Sequence, residues 1–176
     1  MNDNPSNIDL NNPEFQCAWK LLRETRKSVF LTGKAGSGKS TFLKYIRDNI
    51  NKKCIVLAPT GISAVNVGGQ TLHSFFKIPF RPLLPDDPDF SPRKIRTTLR
   101  YTKEKVKIIK ELELIIIDEI SMVRVDIIDF IDRVLRIYSN NTREPFGGKQ
   151  LMLVGDVFQL GPVVTRDMKE ILRRYY

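Results

Sequence analysis

The 176-residue chain predicts an α/β fold, a mainly parallel sheet flanked by helices, and three observations carry that expectation. Short apolar runs at 29–32, 54–58, 112–117 and 150–154 read as strands, and those at 54–58 and 114–117 lack the alternation of a half-exposed strand, as segments covered on both faces do. Stretches with apolar residues at three-and-four spacing separate them. The first strand and the first long helix are joined by a glycine-rich turn, Gly33-Lys-Ala-Gly-Ser-Gly-Lys-Ser40. Alternation of strand and helix builds a parallel sheet, with its ligand at the C-terminal ends of the strands.

Composition narrows the class. Hydrophobic residues make up 41% of the chain, ordinary for one water-exposed domain with a single core. Residues 1–10 are polar and read as a flexible N-terminus, and 11–176 as one domain. The net charge of +9 points toward a polyanionic partner, although basic proteins without one are also common. Cys17 and Cys54 are too few and too far apart for a disulfide framework or a metal site. No apolar run reaches the length of a membrane span, and the start of the chain lacks the basic and apolar regions of a signal peptide. No membrane partner is expected.

Taken in order, residues 14–22 form a short helix with Phe15, Trp19 and Leu22 on one face; Gln16 lies off that face and reads equally as a solvated glutamine or as a neighbour of whatever the glycine-rich turn holds. After the strand at 29–32, the spacing Gly-x-x-x-x-Gly-Lys-Ser between a strand and a helix is that of a phosphate-binding loop. Its backbone N–H groups converge on phosphate oxygens at the positive end of the helix dipole. Lys39 is then placed for the β- and γ-phosphates and the Ser40 hydroxyl for Mg²⁺. A glycine-rich loop that binds nothing is the alternative, and the flanking strand and helix argue against it. The helix that follows buries Phe42, Leu43, Ile46 and Ile50.

The strand at 54–58 stops at Pro59, and Thr60 suits the cap of a short helix. His73, the only histidine, stands beside Phe75 and Phe76; a packed surface residue is the plain reading of such a histidine. Residues 77–92 hold five prolines and read as a surface loop without regular structure. Residues 93–110 carry eight cations against Glu104, a balance of eight minus one, or +7. This is either a solvated helix face or a phosphate-tracking surface.

The apolar strand at 112–117 ends in Asp118 and Glu119. Ionised side chains seldom follow buried aliphatics unless they emerge at a site. With a phosphate loop upstream, Asp118 suits the Mg²⁺ shell and Glu119 suits orienting an attacking water. A helix over 124–139 is expected to bury Val125, Ile128, Ile131, Leu135 and Tyr138 and to expose Asp126, Asp129, Arg133 and Arg136. The last strand, 150–154, leads into Gly155-Asp-Val-Phe-Gln159.

The motifs Gly-Lys-Ala-Gly-Ser-Gly-Lys-Ser (33–40), Ala-Pro-Thr-Gly-Ile-Ser-Ala (58–64), Gly-Gly-Gln-Thr-Leu-His-Ser-Phe-Phe (68–76), Asp-Glu-Ile-Ser-Met-Val (118–123), Phe-Gly-Gly-Lys-Gln-Leu (146–151) and Gly-Asp-Val-Phe-Gln-Leu (155–160) occur in order. Together they resemble the first RecA-like domain of the Pif-type DNA helicases of superfamily 1B, which move 5′ to 3′ on single strands. RecD-type helicases share the phosphate loop and the Gly-Asp-x-x-Gln pattern, whereas Ile-Ser-Met after the acidic pair and Thr-Leu-His-Ser-Phe-Phe favour the Pif type.

The resemblance implies a RecA-like phosphate-loop NTPase that uses ATP and Mg²⁺ to unwind DNA, with roles in repair, recombination and telomere maintenance. Nucleotide binding then falls to Gln16, which reads the adenine edge, and to Gly33, Lys34, Ala35, Gly36, Ser37, Gly38, Lys39, Ser40 and Thr41. Catalysis falls to Lys39, Asp118, Glu119 and the γ-phosphate sensor Gln159, and the metal to Ser40 and Asp118. DNA contacts fall to Pro59, Thr60, Asn66, His73 and Phe75. Single-stranded and branched or structured DNA are the implied partners, a monomer the implied state, and cytoplasm or nucleoid in a bacterium, nucleus or mitochondrion in a eukaryote, the implied place. An isolated fragment that binds nucleotide or DNA without turnover is the alternative. Family members continue into a second RecA-like domain that supplies the other wall of the cleft and arginines for the γ-phosphate, so a fragment of a longer protein is expected. Gly161 departs from the family's Leu-Pro-Pro-Val, and a glycine there loosens the support of Gln159.

Overall fold

A computed structural model describes residues 11–176, so the expectation for residues 1–10 lies outside the described residues. Five strands, β1 (Val29–Thr32), β2 (Cys54–Ala58), β3 (Gln70–Thr71), β4 (Leu114–Ile117) and β5 (Gln150–Gly155), form one sheet in the order β1-β5-β4-β2-β3. Every pairing is parallel, with Leu31 opposite Val154, Ile117 opposite Leu153 and Leu57 opposite Ile117.

The period of two in β4 divides the interior. Leu114 and Ile116 join Phe42, Leu43 and Ile46 of α2 (Lys39–Asn49) and Leu22 of α1 (Pro13–Glu24) on one face. Ile115 and Ile117 join the core on the other face, built from α4 (Leu72–Phe76), α5 (Pro92–Leu99), α6 (Lys103–Glu111) and α7 (Val125–Tyr138). All four β4 residues are 0% exposed, which is why the strand shows no polar alternation. Caps fix the helix starts: the Asn12 side chain accepts from Glu14 and Phe15 N–H, and Thr60 accepts from Ser63 N–H to open α3 (Gly61–Asn66).

Three expectations are corrected. The proline-rich stretch is an ordered loop held by the buried Ile78, Leu83 and Phe90, but it is not without regular structure, since Pro88–Phe90 closes a 3-10 turn capped by Asp87. The basic stretch is two helices, broken where Arg100 adopts a left-handed φ of 41°. In α7 the buried stripe is rotated: Val125 is 50% exposed and Asp126 is fully buried. The cause is Arg124, whose guanidinium meets both Asp126 oxygens at 2.9 and 2.7 Å, while Asp126 also accepts from Leu83 N–H at 3.0 Å. A carboxylate paired and hydrogen-bonded in this way can sit in a core. A last helix, α8 (Arg166–Leu172), and the two-residue β3 carry too few apolar residues for a periodicity to reveal them.

Candidate functional site

Strand order assembles the site. β1, β5 and β4 are adjacent and parallel, so the loop after β1, the turn after β5 and the acidic pair after β4 emerge along one edge of the sheet. They line one cavity of about 350 Å³ made of Ala35–Thr41, Asp118, Glu119, Gly155, Asp156 and Gln159. The sequence-predicted Ala35, Gly36, Ser37, Gly38, Lys39, Ser40, Thr41, Asp118, Glu119 and Gln159 are therefore brought together, while Gly33 and Lys34 form the near stem of the loop.

The loop's shape depends on glycine at two points. Gly36 and Gly38 have φ of +78° and +85°, which side chains other than glycine's seldom adopt, and Gly38 leads directly into α2. Lys39 folds back over the loop, its Nζ donating to the carbonyls of Gly33 at 2.6 Å and Lys34 at 2.8 Å. A phosphate oxygen entering the loop can replace those carbonyls as the partner of its ammonium.

Asp118 is 7% exposed and Glu119 half-buried beside it. Burial raises the Asp118 carboxyl above the usual range and the Glu119 charge adds to this; the Glu119 N–H, donating to Asp118 Oδ1 at 2.9 Å, and the charge of Lys39 act in the opposite sense. Glu119 leaves the strand in a left-handed conformation, φ 48° and ψ 45°, uncommon for a residue other than glycine. Among the described residues no group of three or more His, Cys, Asp and Glu forms a cage for a metal. A divalent cation held by Ser40 and Asp118 must therefore take its other ligands from phosphate and water, the usual habit of Mg²⁺, and the donor set fits that ion.

Asp156 was not anticipated, although its place in Gly-Asp-x-x-Gln is that of a turn-forming side chain. It is 7% exposed, its Oδ1 accepts from Phe158 N–H at 3.0 Å and its carbonyl from Gln159 N–H at 3.1 Å, so it folds the turn that presents Gln159 to the cavity. At Gly161 an added Cβ would meet open space, so nothing steric calls for glycine. A second hollow of about 660 Å³ opens beside the first, shares Glu119 and Gln159, and is otherwise lined by Ser121, Met122, Phe158, Leu160 and Gly161.

Gln16 is exposed on α1 and does not line the phosphate cavity. Its helix nonetheless packs where the expectation needed it, with Phe15 stacked on Phe42 of α2 and facing Gly38. On the far side of the edge, Pro59, Thr60 and His73 are half-buried and Asn66 is exposed. Phe75 is a correction. It is 3% exposed, packed edge-on against Phe76 and covered by Lys105 Nζ 3.0 Å from its ring centre, so it offers no face to a ligand. An exposed ring beside His73 is that of Phe80, 92% accessible and stacked on His73 with ring centres 5.0 Å apart. Sequence alone did not single it out among the prolines.

Comparison with known proteins shows the family. The family model described as PIF1-like helicase matches residues 16–174. The ATP-dependent DNA helicase PIF1 of Emericella nidulans is 38% identical over 159 residues, which cover 86% of this chain and 20% of that protein. A crystal structure of Bacteroides sp. Pif1 in complex with ADP-AlF4 superposes with a TM-score of 0.86 at 48% identity, covering 96% of this chain and 37% of that one. Bacteroides Pif1 bound to ssDNA gives a TM-score of 0.83 at 49% identity, covering 94% of this chain and 36% of that one. The chain spans about a fifth of the length of the curated relatives it matches. No helix among the described residues is long and apolar enough to cross a membrane.

Proposed function

The chain belongs to the PIF1-like helicase family, and on that premise we propose that it is the first RecA-like, ATP-binding domain of a 5′ to 3′ DNA helicase that translocates on single strands. The observation that carries the reading is the convergence of the phosphate loop, the acidic pair and Gln159 in one cavity at the ends of three adjacent strands.

In this reading Lys39 and the loop N–H groups neutralise the β- and γ-phosphates, and Gln16 reads the adenine edge beside the Phe15–Phe42 stack. Ser40 and Asp118 hold Mg²⁺, which when bound spreads the charge that develops on the phosphates. Glu119, left-handed in its backbone, aligns a water for attack and takes its proton. Gln159, on the turn tied by Asp156, registers whether the γ-phosphate is present and passes that state to the neighbouring hollow. Single-stranded DNA runs over Pro59, Thr60, Asn66 and His73, with Phe80 in the stacking role expected of Phe75.

No arginine lines the phosphate cavity among the described residues. An arginine at the γ-phosphate contributes about 10³ to 10⁵ in rate, so these 176 residues bind nucleotide and hydrolyse it slowly, the arginine coming from a second RecA-like domain. The test is a pair of titrations on the same chain, one with a fluorescent ATP analogue and Mg²⁺ and one with labelled oligo-dT. The reading expects both to bind, with Lys39→Ala removing only the first and His73→Ala/Phe80→Ala only the second. A chain that binds neither ligand contradicts it.

A further inference from the structure

The phosphate loop does not account for where most of the chain's positive charge lies. We propose that the exposed face of α5 and α6 is a docking track for the phosphate backbone of duplex DNA, an inference that deepens the helicase reading and rests on it. Residues 93–110 hold a net +7 of the chain's +9, and seven of their eight cations are exposed, Lys105 being the half-buried one. Ile95, Leu99 and Ile109 face the core, which leaves Arg93, Lys94, Arg100, Lys103 and Lys107 in water. Of the eight cations in this stretch, only Lys107 has a carboxylate within ion-pair reach among the described residues, Glu111 at 3.9 Å.

A merely solvated helix face mixes signs at i,i+4 spacing. Within α6 that spacing sets Lys103 beside Lys107, like charges whose repulsion costs stability, and only Lys107 also reaches a carboxylate, Glu111, one turn on. The neighbouring acids do not relieve it. Arg81 binds Asp87 and Asp89, and the Tyr175 hydroxyl donates to Asp86 at 2.9 Å, so among the described residues none of these three carboxylates forms an ion pair with a cation of 93–110.

The cations stand on a fixed platform. Arg96 donates to Ile137 O at 2.9 Å, Lys77 Nζ to Leu99 O at 3.0 Å and the Tyr101 hydroxyl to Phe76 O at 2.6 Å, which bolts both helices to α7 and α4. At 1.5 Å per residue Lys103 and Lys110 are about 10 Å apart along α6, or about three phosphate steps of one strand of a duplex. The face has no exposed aromatic: its one ring, Tyr101, is half-buried and lies 4.8 Å from Tyr138. Single-strand sites combine charge with stacking platforms, and the platform in this chain, Phe80 on His73, belongs to the α4 side. A cationic face without rings tracks a backbone whose bases are already paired.

The experiment measures anisotropy of a labelled duplex of about 20 base pairs and of labelled oligo-dT, from about 50 to 200 mM salt. The probe protein is the chain carrying Lys94→Gln, Arg100→Gln, Lys103→Gln and Lys107→Gln, all exposed positions, with thermal unfolding as the check of its fold. The expected result is a duplex salt slope smaller by about 3 to 4, at about 0.9 for each phosphate no longer neutralised, with oligo-dT and nucleotide binding unchanged. Lys103→Arg/Lys107→Arg retains the slope. An unchanged duplex slope, or an equal loss for oligo-dT, overturns the proposal. Failure of the helicase reading itself is distinct, because it shows as unmodified chain that binds neither oligo-dT nor ATP analogue.

Discussion

Phe15 lies flat on Phe42, ring centres 4.4 Å apart and planes within 5°, and this stack seats α1 against the helix that begins at the phosphate loop. The same ring faces Gly38, where an added Cβ would stand 3.6 Å from Phe15 Cζ, so it also floors the loop. Phe15→Ala is expected to cost about 2 kcal/mol through reduced apolar burial and the missing stack, lowering the melting temperature by about 4 to 8 °C. Because Gln16 rides on the same turn, the variant should also lose preference for adenine over guanine nucleotides. Competition titration with ADP and GDP checks this.

Asp118 and Glu119 should separate by role, and Asp118 carries a pH dependence of its own. Burial raises the Asp118 carboxyl in the folded chain above its unfolded value. Between those two values the folded state binds more protons than the unfolded one, so stability falls as pH rises through that window. Asp118→Asn is therefore expected to raise the melting temperature at pH 7, by an amount that shrinks as pH falls through the window, while weakening Mg²⁺-dependent nucleotide binding. Glu119→Gln should leave nucleotide affinity intact and lower turnover of the complete enzyme by about 10² to 10⁴. Melting curves across pH and nucleotide titrations in Mg²⁺ or EDTA decide the matter.

Phe75 and Phe80 have opposite duties. Phe75→Ala removes a buried ring and should destabilise the chain by about 3 to 5 kcal/mol. Phe80→Ala should change stability by no more than about 0.5 kcal/mol and weaken oligo-dT binding by about tenfold or more. Chemical denaturation beside anisotropy tells them apart.

The buried Arg124–Asp126 pair gives a third kind of prediction. Asp126→Ala strands a guanidinium that is 16% exposed and removes the acceptor of Leu83 N–H, at an expected cost of about 3 to 5 kcal/mol. Arg124→Met/Asp126→Leu should recover part of the loss, since no charge is then left unpaired, although the Leu83 N–H stays unsatisfied. Urea unfolding of the three variants measures it.

Much of this was legible in the residues. β1, β2, β4 and β5 announced themselves as apolar runs, and the phosphate loop and acidic pair by spacing, because buried strands and phosphate contacts both restrict which residue types are possible. What escaped depends on tertiary partners. Asp126 reads as polar until Arg124 folds back on it, and that one pair rotates the buried stripe of α7. Phe75 and Phe80 are alike as letters; Lys105 arriving from α6 covers one, and the proline-rich loop leaves the other in water. Asp156 matters through a turn of four residues, too local for any periodicity to reveal.

In the proposed function the cavity at the ends of β1, β5 and β4 binds nucleoside triphosphate through Lys39, the cation of its lining. The direct measurement is titration of a fluorescent ADP or ATP analogue with Mg²⁺ into the chain and into Lys39→Ala, with melting curves to establish that both are folded. A charge-assisted contact to phosphate is worth about 1.5 to 3 kcal/mol, so affinity should be weaker by about tenfold to hundredfold in the variant. Equal affinity in a folded Lys39→Ala would contradict it.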